Sequence, residues 1–87
     1  HALDSDCAAL RMAGSVIAEA LRLQRDQLVA LARAWTGPGA EAAVAFMRSH
    51  CDTAESVVTE VRAAAQRCES LRDNLWQLVD AKVATTT

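Results

Sequence analysis

The sequence has few of the residues that build strands, turns and aromatic cores. Only 3% of its 87 residues are aromatic, none is tyrosine, and it has one proline and three glycines. Strands favour β-branched and aromatic residues, whereas alanine, which supplies much of the 52% hydrophobic content, is the best helix former. This composition argues against strands and predicts one small domain, residues 1–87, built from long helices.

Charge, apolar runs and cysteine spacing argue against several classes of protein. The net charge is −2 with no basic patch, so nothing supports a nucleic-acid partner. No apolar run approaches the roughly 18 residues of a membrane span. The N-terminus has no signal-peptide pattern, so we expect any export to follow a signal-peptide-independent route after a cytoplasmic stage. The three cysteines lack CxxC spacing, so no metal site is predicted.

Hydrophobic spacing predicts two helices separated by one break. Apolar and small residues recur at alternating steps of three and four, the heptad pattern of packed helices. At the break, Gly37 suits a helix C-terminus and Pro38 cannot continue a helix. The short loop makes the helices antiparallel neighbours, so we predict an all-α hairpin with helices over about residues 5–35 and 40–83. The predicted seams are Leu3, Cys7, Leu10, Gly14, Ile17, Leu21, Gln24, Leu28, Leu31 and Trp35, and Ala43, Met47, His50, Ala54, Val57, Val61, Ala64, Cys68, Leu71, Leu75, Leu78 and Lys82.

Each helix carries a second apolar stripe beside its seam. A hairpin buries one stripe per helix, so we expect the remainder to pack on a second hairpin in a four-helix bundle. The alternative is a monomer whose second stripe, mostly alanine, stays in water. The second stripes are Ala9, Met12, Val16, Ala20, Leu23 and Ala30 in helix 1, and Val44, Met47, Cys51, Val58 and Ala65 in helix 2.

The position of the break also predicts which residues face each other, because facing residue numbers should sum to roughly 75. Cys7 and Cys68 satisfy this sum, which predicts a disulfide between the free ends; two reduced, buried thiols are the alternative. Gln24 and His50 are predicted to form a polar pair that fixes the seam register, with metal binding or pH sensing as alternatives for His50. Gly14 predicts a close helix approach near Val61.

No arrangement for catalysis is evident. The chain has no paired acids in an apolar setting, no phosphate-binding glycine loop and no Ser-His-Asp arrangement. His50 precedes Cys51, but neighbouring helical residues point about 100° apart. We therefore predict a protein-binding chain that is not an enzyme and has no cofactor, metal or small-molecule substrate.

The two tryptophans are the candidate recognition residues. Trp35 precedes the chain reversal, where its ring either caps the core or meets a partner. Trp76 and Asp80 are four residues apart, so they share a helix face with Arg72, away from the predicted seam. An aromatic residue there predicts contact with another protein or with a second subunit.

Together these features resemble the WXG family of small helical-hairpin proteins exported by type VII secretion. The resemblance spans the whole chain and rests on its length, on Trp35-Thr36-Gly37 at the sole helix break, on the absence of a cleavable signal, and on an aromatic-x-x-x-acid motif at Trp76 and Asp80. The family motif has tyrosine where this chain has Trp76, and the cysteines are also a departure from the family. The Ala- and Arg-rich composition is consistent with a GC-rich actinobacterial source.

The resemblance implies a protein that is secreted or displayed at the cell surface. It implies that the partners are the chain itself or a paralogous hairpin, together with the type VII secretion machinery. In the family, the W-x-G and the C-terminal motif act as one bipartite export signal. Two other readings remain open from the sequence: the targeting module of a larger secreted toxin, and a non-secreted helical-bundle adaptor or chaperone.

Overall fold

The computed structural model describes residues 2–86, which form two helices. Helix α1 spans Ala2–Ala34 and helix α2 spans Pro38–Thr86, with no strand among the residues described. The predicted all-α hairpin is therefore confirmed, with both helices a few residues longer than expected. His1 and Thr87, which the predicted domain includes, lie outside the described residues.

A three-residue connection, Trp35 to Gly37, reverses the chain. The Trp35 N–H still donates to the Leu31 carbonyl at 2.9 Å, and Gly37 then adopts a left-handed φ of 112°. The Gly37 carbonyl accepts the Glu41 N–H at 3.1 Å, so Gly37 is the N-cap of α2. Pro38 is the first helical residue, where its missing N–H leaves no bond unmade. This is why α2 begins two residues before the predicted start.

The contact between the helices follows a heptad. In α1 the buried residues are Cys7, Gly14, Leu21 and Leu28, as predicted. Nearer the turn, the contact shifts around α1: the predicted seam residues Gln24, Leu31 and Trp35 are exposed, whereas Arg25 and Ala32 are half-buried. The buried residues of α2 are Ala40, Val44, Cys51, Val58 and Ala65.

The predicted seam of α2 is therefore wrong. The helix is rotated about its own axis, so that a neighbouring row of residues faces α1. The row that packs on α1 is the predicted second stripe, whereas His50, Val57 and Leu71 are exposed. Small residues such as Cys51 and Ala65 let α2 lie close to the leucines of α1, because large residues pack best opposite small ones. The predicted seam residues Met47, Ala54, Val61 and Cys68, which lie beside this row, are half-buried.

Two contacts hold the open half of the hairpin in the predicted register. Cys7 and Cys68 form a disulfide with a Cα–Cα distance of 5.5 Å. Gly14 is buried at a close approach: a Cβ atom there would lie 3.3 Å from Cγ of Arg62 and 3.6 Å from Cγ1 of Val61. The close approach that the sequence predicts at Gly14 is confirmed.

Helix α2 is longer than its partner and projects past it. It has 49 residues against 33 in α1, so their lengths are about 74 Å and 50 Å. The molecule measures 75 × 15 × 15 Å, so α2 alone sets its length. Asp4 near the start of α1 forms an ion pair with Arg72 of α2, and of α1 only Ala2 and Leu3 extend beyond this pair. We call residues 76–86, the part of α2 that follows, the C-terminal arm.

Substitutions at Gly14 test the close approach. Gly14→Ala should be neutral or stabilising by up to about 1 kcal/mol, because alanine favours the helix and the flexible, exposed Arg62 chain can shift. Gly14→Leu should destabilise by about 1–3 kcal/mol, because a larger side chain forces the helices apart. Urea unfolding of the oxidised protein measures both, with Ser15→Leu as an exposed control. Equal stability of the Leu and Ala variants would contradict the close approach.

Candidate protein-binding surface

The two long sides of the hairpin carry different residues. Along α1, residues three places after each buried residue lie on one side of the contact, and residues four places after lie on the other. The first row is Leu10, Ile17, Gln24 and Leu31; the second is Arg11, Ala18, Arg25 and Ala32.

Helix α2 is divided in the same way, and the contacts show which rows are neighbours. One groove brings Gln24 and Leu31 of α1 beside Phe46 and His50 of α2. Ion pairs bring Arg11 and Arg25 beside the opposite side of α2. The row on the first side of α2 is Ala43, His50, Val57, Ala64 and Leu71; the row on the other side is Glu41, Arg48, Glu55, Arg62 and Glu69.

The second side, which we call the charged face, is held by ion pairs between the helices. The Arg11 guanidinium donates to both oxygens of Glu69, one bond being 3.3 Å. This hydrogen bond keeps the pKa of Glu69 below its ordinary value and raises that of Arg11. Arg25 donates to Asp52 at 2.9 Å and also to Glu55. Such exposed pairs stabilise little, but they match the charges of the two helices within one chain.

The first side, which we call the apolar face, has no such matching of charges. Its two rows contain no Asp, Glu, Lys or Arg. Instead they present exposed hydrophobic side chains, among them Leu31, Val57 and Leu71, and Phe46 beside them is 75% exposed. Single exposed apolar residues are ordinary, but several of them beside one helix contact mark a candidate protein-binding surface.

A groove of about 490 Å³ lies on the apolar face near the closed end. Gln24 and His50 both line it, but both are exposed and no hydrogen bond joins them. The predicted buried polar pair is therefore wrong, because the rotation of α2 turns His50 outward. The two side chains instead place polar groups in an apolar groove, where they can orient a partner. The groove is lined by Gln24, Gln27, Leu28, Leu31, Phe46, Met47, His50 and Cys51.

The two tryptophans lie at opposite ends of the molecule. Trp35 is exposed at the closed end, in a shallow groove with Ala40 and Val44. Trp76 is exposed at the open end, beside Leu3, and Asp80 lies one turn further along the arm. The 41 positions between the tryptophans correspond to about 60 Å of helix, so one hairpin does not bring them together.

The described residues contain neither a cluster of potential metal ligands nor a helix that could span a membrane. Within residues 2–86 there is no cluster of three or more His, Cys, Asp or Glu side chains. In the same range, neither helix is long and apolar enough to cross a membrane. Cys51, adjacent to His50 in sequence, is buried in the helix contact.

Sequence reasoning missed the division into two faces. The signal is present in α2, where Glu41, Arg48, Glu55, Arg62 and Glu69 recur every seventh residue with alternating charge. Matching this row with Arg11 and Arg25 of α1 would have identified the charged face.

Comparison of the chain with protein-family models, with curated proteins and with solved structures found no match. The resemblance to the WXG proteins therefore rests on the residues themselves. They are Trp35-Thr36-Gly37 at the chain reversal and the Trp76 and Asp80 pair near the end of a long second helix.

Proposed function

We propose that this chain is a type VII secretion substrate or adaptor of the WXG kind, which acts by binding protein as a homodimer or heterodimer. The observation that carries the proposal is the apolar face, whose two rows carry no charged residue, on a hairpin whose opposite face pairs charges of the two helices within the chain. The W-x-G at the chain reversal connects this architecture with export.

The size of the core favours an obligate partner. Apart from glycine, only eight residues of the described chain are buried, and six of them are cysteine, valine or alanine, at the contact of just two helices. Chains this small need a covalent cross-link or a binding partner to be stable, and here the disulfide supplies only the cross-link. Covering Phe46, Val57 and Leu71 with a second hairpin would add the missing core. The partner is a second copy or a paralogous hairpin with a similar apolar face.

The C-terminal arm is the proposed contact with the secretion machinery. It presents Trp76, beside Leu3 of α1, and Asp80 on one helix face, and both are exposed so that another protein can reach them. Tryptophan in place of the family's tyrosine keeps a large aromatic anchor. Because Trp35 and Trp76 lie about 60 Å apart in one hairpin, a combined signal would use the turn of one chain and the arm of its partner.

A charge placed on the apolar face tests the dimer. Val57→Arg should convert the protein to a monomer, because the interface would have to bury an unpaired cation. Val29→Arg is the matched control: Val29 is 48% exposed against 50% for Val57, but it follows Arg25 by one turn on the charged face. Light scattering should give twice the chain mass, or the mass with a bound paralogue, for the natural protein and the control. A light-scattering mass equal to one chain for the natural protein would contradict the dimer.

A secretion assay tests the proposed role of the C-terminal arm in export. Replacing Trp76 and Asp80 together with alanine should abolish secretion from cells with an intact type VII system, since both anchors of the contact are lost. The double variant Asp73→Ala/Gln77→Ala has the same spacing on another face and should be exported normally. Circular dichroism checks that both proteins remain helical. Normal export of the Trp76/Asp80 variant would contradict the proposed contact between the arm and the secretion machinery.

A further inference from the structure

Two polar side chains interrupt the apolar face, one on each helix. In the two rows of this face, Gln24 of α1 and His50 of α2 are the only residues with polar side chains. Both are exposed, and both line the same groove. Among the residues described, neither has a hydrogen-bond partner. A partner that covers the face removes water from both groups, which opposes binding unless the partner supplies hydrogen bonds in return.

We propose that a second copy of this chain covers the apolar face with the closed ends of both hairpins together, so that Gln24 of each copy bonds to His50 of the other. This inference rests on the proposed function, because it names the partner of the apolar face. The polar site is complete only in the dimer, since each copy contributes one member of each pair.

A two-fold rotation about the long axis of the hairpin produces this dimer. The rotation sets α1 of one copy on α2 of the other and keeps every residue at its height along the molecule. Residues at the same height within one hairpin therefore face each other between the copies. The Cys7–Cys68 disulfide fixes these heights near the open end, and Gly14 beside Val61 fixes them further along. The groove shared by both helices fixes them near the closed end.

At every height, the two rows then join residues that suit each other. Two levels set leucine against alanine, and large residues pack best opposite small ones. Two levels join apolar residues of similar size, and one level joins the glutamine to the histidine. The levels are Leu3 with Leu71, Leu10 with Ala64, Ile17 with Val57, Gln24 with His50, and Leu31 with Ala43, and the two residue numbers sum to 74 each time.

The glutamine and histidine are chemically suited to pair. A glutamine amide has both a donor and an acceptor, and a neutral imidazole has one of each, so a hydrogen bond forms with either imidazole tautomer. The two-fold rotation repeats the pair, so four polar side chains share one level of the dimer. A slip of one heptad would set Gln24 against Val57 or Ala43 and leave His50 unpaired as well. The pairs therefore also fix the register.

A second copy packed in the opposite direction does not satisfy these groups. A two-fold axis across the molecule sets α1 on α1 and α2 on α2. When such a dimer covers both rows from end to end, Gln24 meets Leu10 and His50 meets Ala64. Moving the axis so that His50 meets His50 leaves the rows uncovered from Ala64 to the open end. Only the arrangement with the closed ends together covers the face and pairs both polar groups.

The arrangement has a consequence for the proposed export signal. Both turns lie at one end of the homodimer and both arms at the other, so Trp35 and Trp76 stay about 60 Å apart. A signal that combines a turn with a partner's arm therefore needs a paralogous hairpin bound in the opposite direction. The homodimer would compete with that complex for the same face.

Cross-linking of two single-cysteine variants tests the arrangement. Gln24→Cys and His50→Cys are each made in a Cys51→Ala background, where the introduced thiol is the only free one beside the Cys7–Cys68 disulfide. A mixture oxidised with copper phenanthroline should give at least tenfold more linked dimer than either variant alone, because a disulfide needs Cα atoms within about 7 Å. The mixed dimer keeps one natural Gln24–His50 pair.

The control mixture combines Val29→Cys with Ala45→Cys in the same background. These residue numbers also sum to 74, but both residues are exposed on the charged face, Ala45 in a groove with Glu41 and Arg48. This mixture should give no more linked dimer than its separate variants. Mass spectrometry of the digest identifies the linked peptides.

Leucine substitutions test the polar pair itself. Gln24→Leu and His50→Leu should each weaken dimerisation at least tenfold, because each leaves the other member buried without a partner. The double variant should dimerise at least as tightly as the natural chain, since both polar groups are then replaced together. Gln66→Leu, exposed one turn after Arg62 on the charged face, should have no effect. Sedimentation equilibrium over a range of protein concentrations gives the dissociation constants.

Several results would overturn the inference. A dimer in which the mixture does not link, or in which Gln24→Cys links to itself, has another arrangement. Losses from the two leucine substitutions that simply add would show that the residues do not pair. A chain that binds only a paralogue would exclude the second copy as the occupant. Each of these results leaves a partner on the apolar face and the proposed function standing, whereas a chain that binds no hairpin at all would contradict both.

Discussion

Three residues connect the two helices, and the shortness of that connection determines which residues meet along the rest of the molecule. Gly37 turns the chain in a left-handed conformation and caps α2, so α2 must run back along α1 without slack. The same register joins Cys7 to Cys68 and sets Gly14 against Val61. It also leaves the last turns of α2 projecting past α1. The disulfide, the close approach and the arm are consequences of one turn.

Two helices in contact can bury only a narrow strip of each, and this limit produces the surface to which we assign the function. On the charged face, pairs such as Arg11 with Glu69 complete the structure within one chain. On the apolar face, Phe46, Val57 and Leu71 are exposed, and the two rows beside the helix contact contain no charged residue. This difference between the two faces is why we propose that a partner packs on the apolar face.

The parts of the fold that depend on local chemistry could be read from the sequence. The chain reversal at Gly37 and Pro38 and the pairing of Cys7 with Cys68 follow from backbone conformation and chain length. The rotation of α2 could not be read in the same way, because the two apolar stripes of this helix lie side by side and share Met47. The choice between them depends on how small residues fit against the leucines of α1, which is a property of packing and not of periodicity. The error at His50 follows from that choice, as does the failure to foresee the groove beside Gln24.

We propose that a partner covers the apolar face and leaves the charged face open, and oxidative footprinting of the native protein tests this most directly. Phe46 and Met12 serve as a matched pair, because they are 75% and 69% exposed in the hairpin and Met12 lies beside Arg11 and Glu69 on the charged face. Side-chain labelling is then measured by mass spectrometry at increasing protein concentration, with and without a paralogous hairpin. The account predicts that labelling of Phe46 falls as the complex forms while labelling of Met12 stays constant. Persistent labelling of Phe46 in the complex, or protection of Met12 in its place, would contradict it.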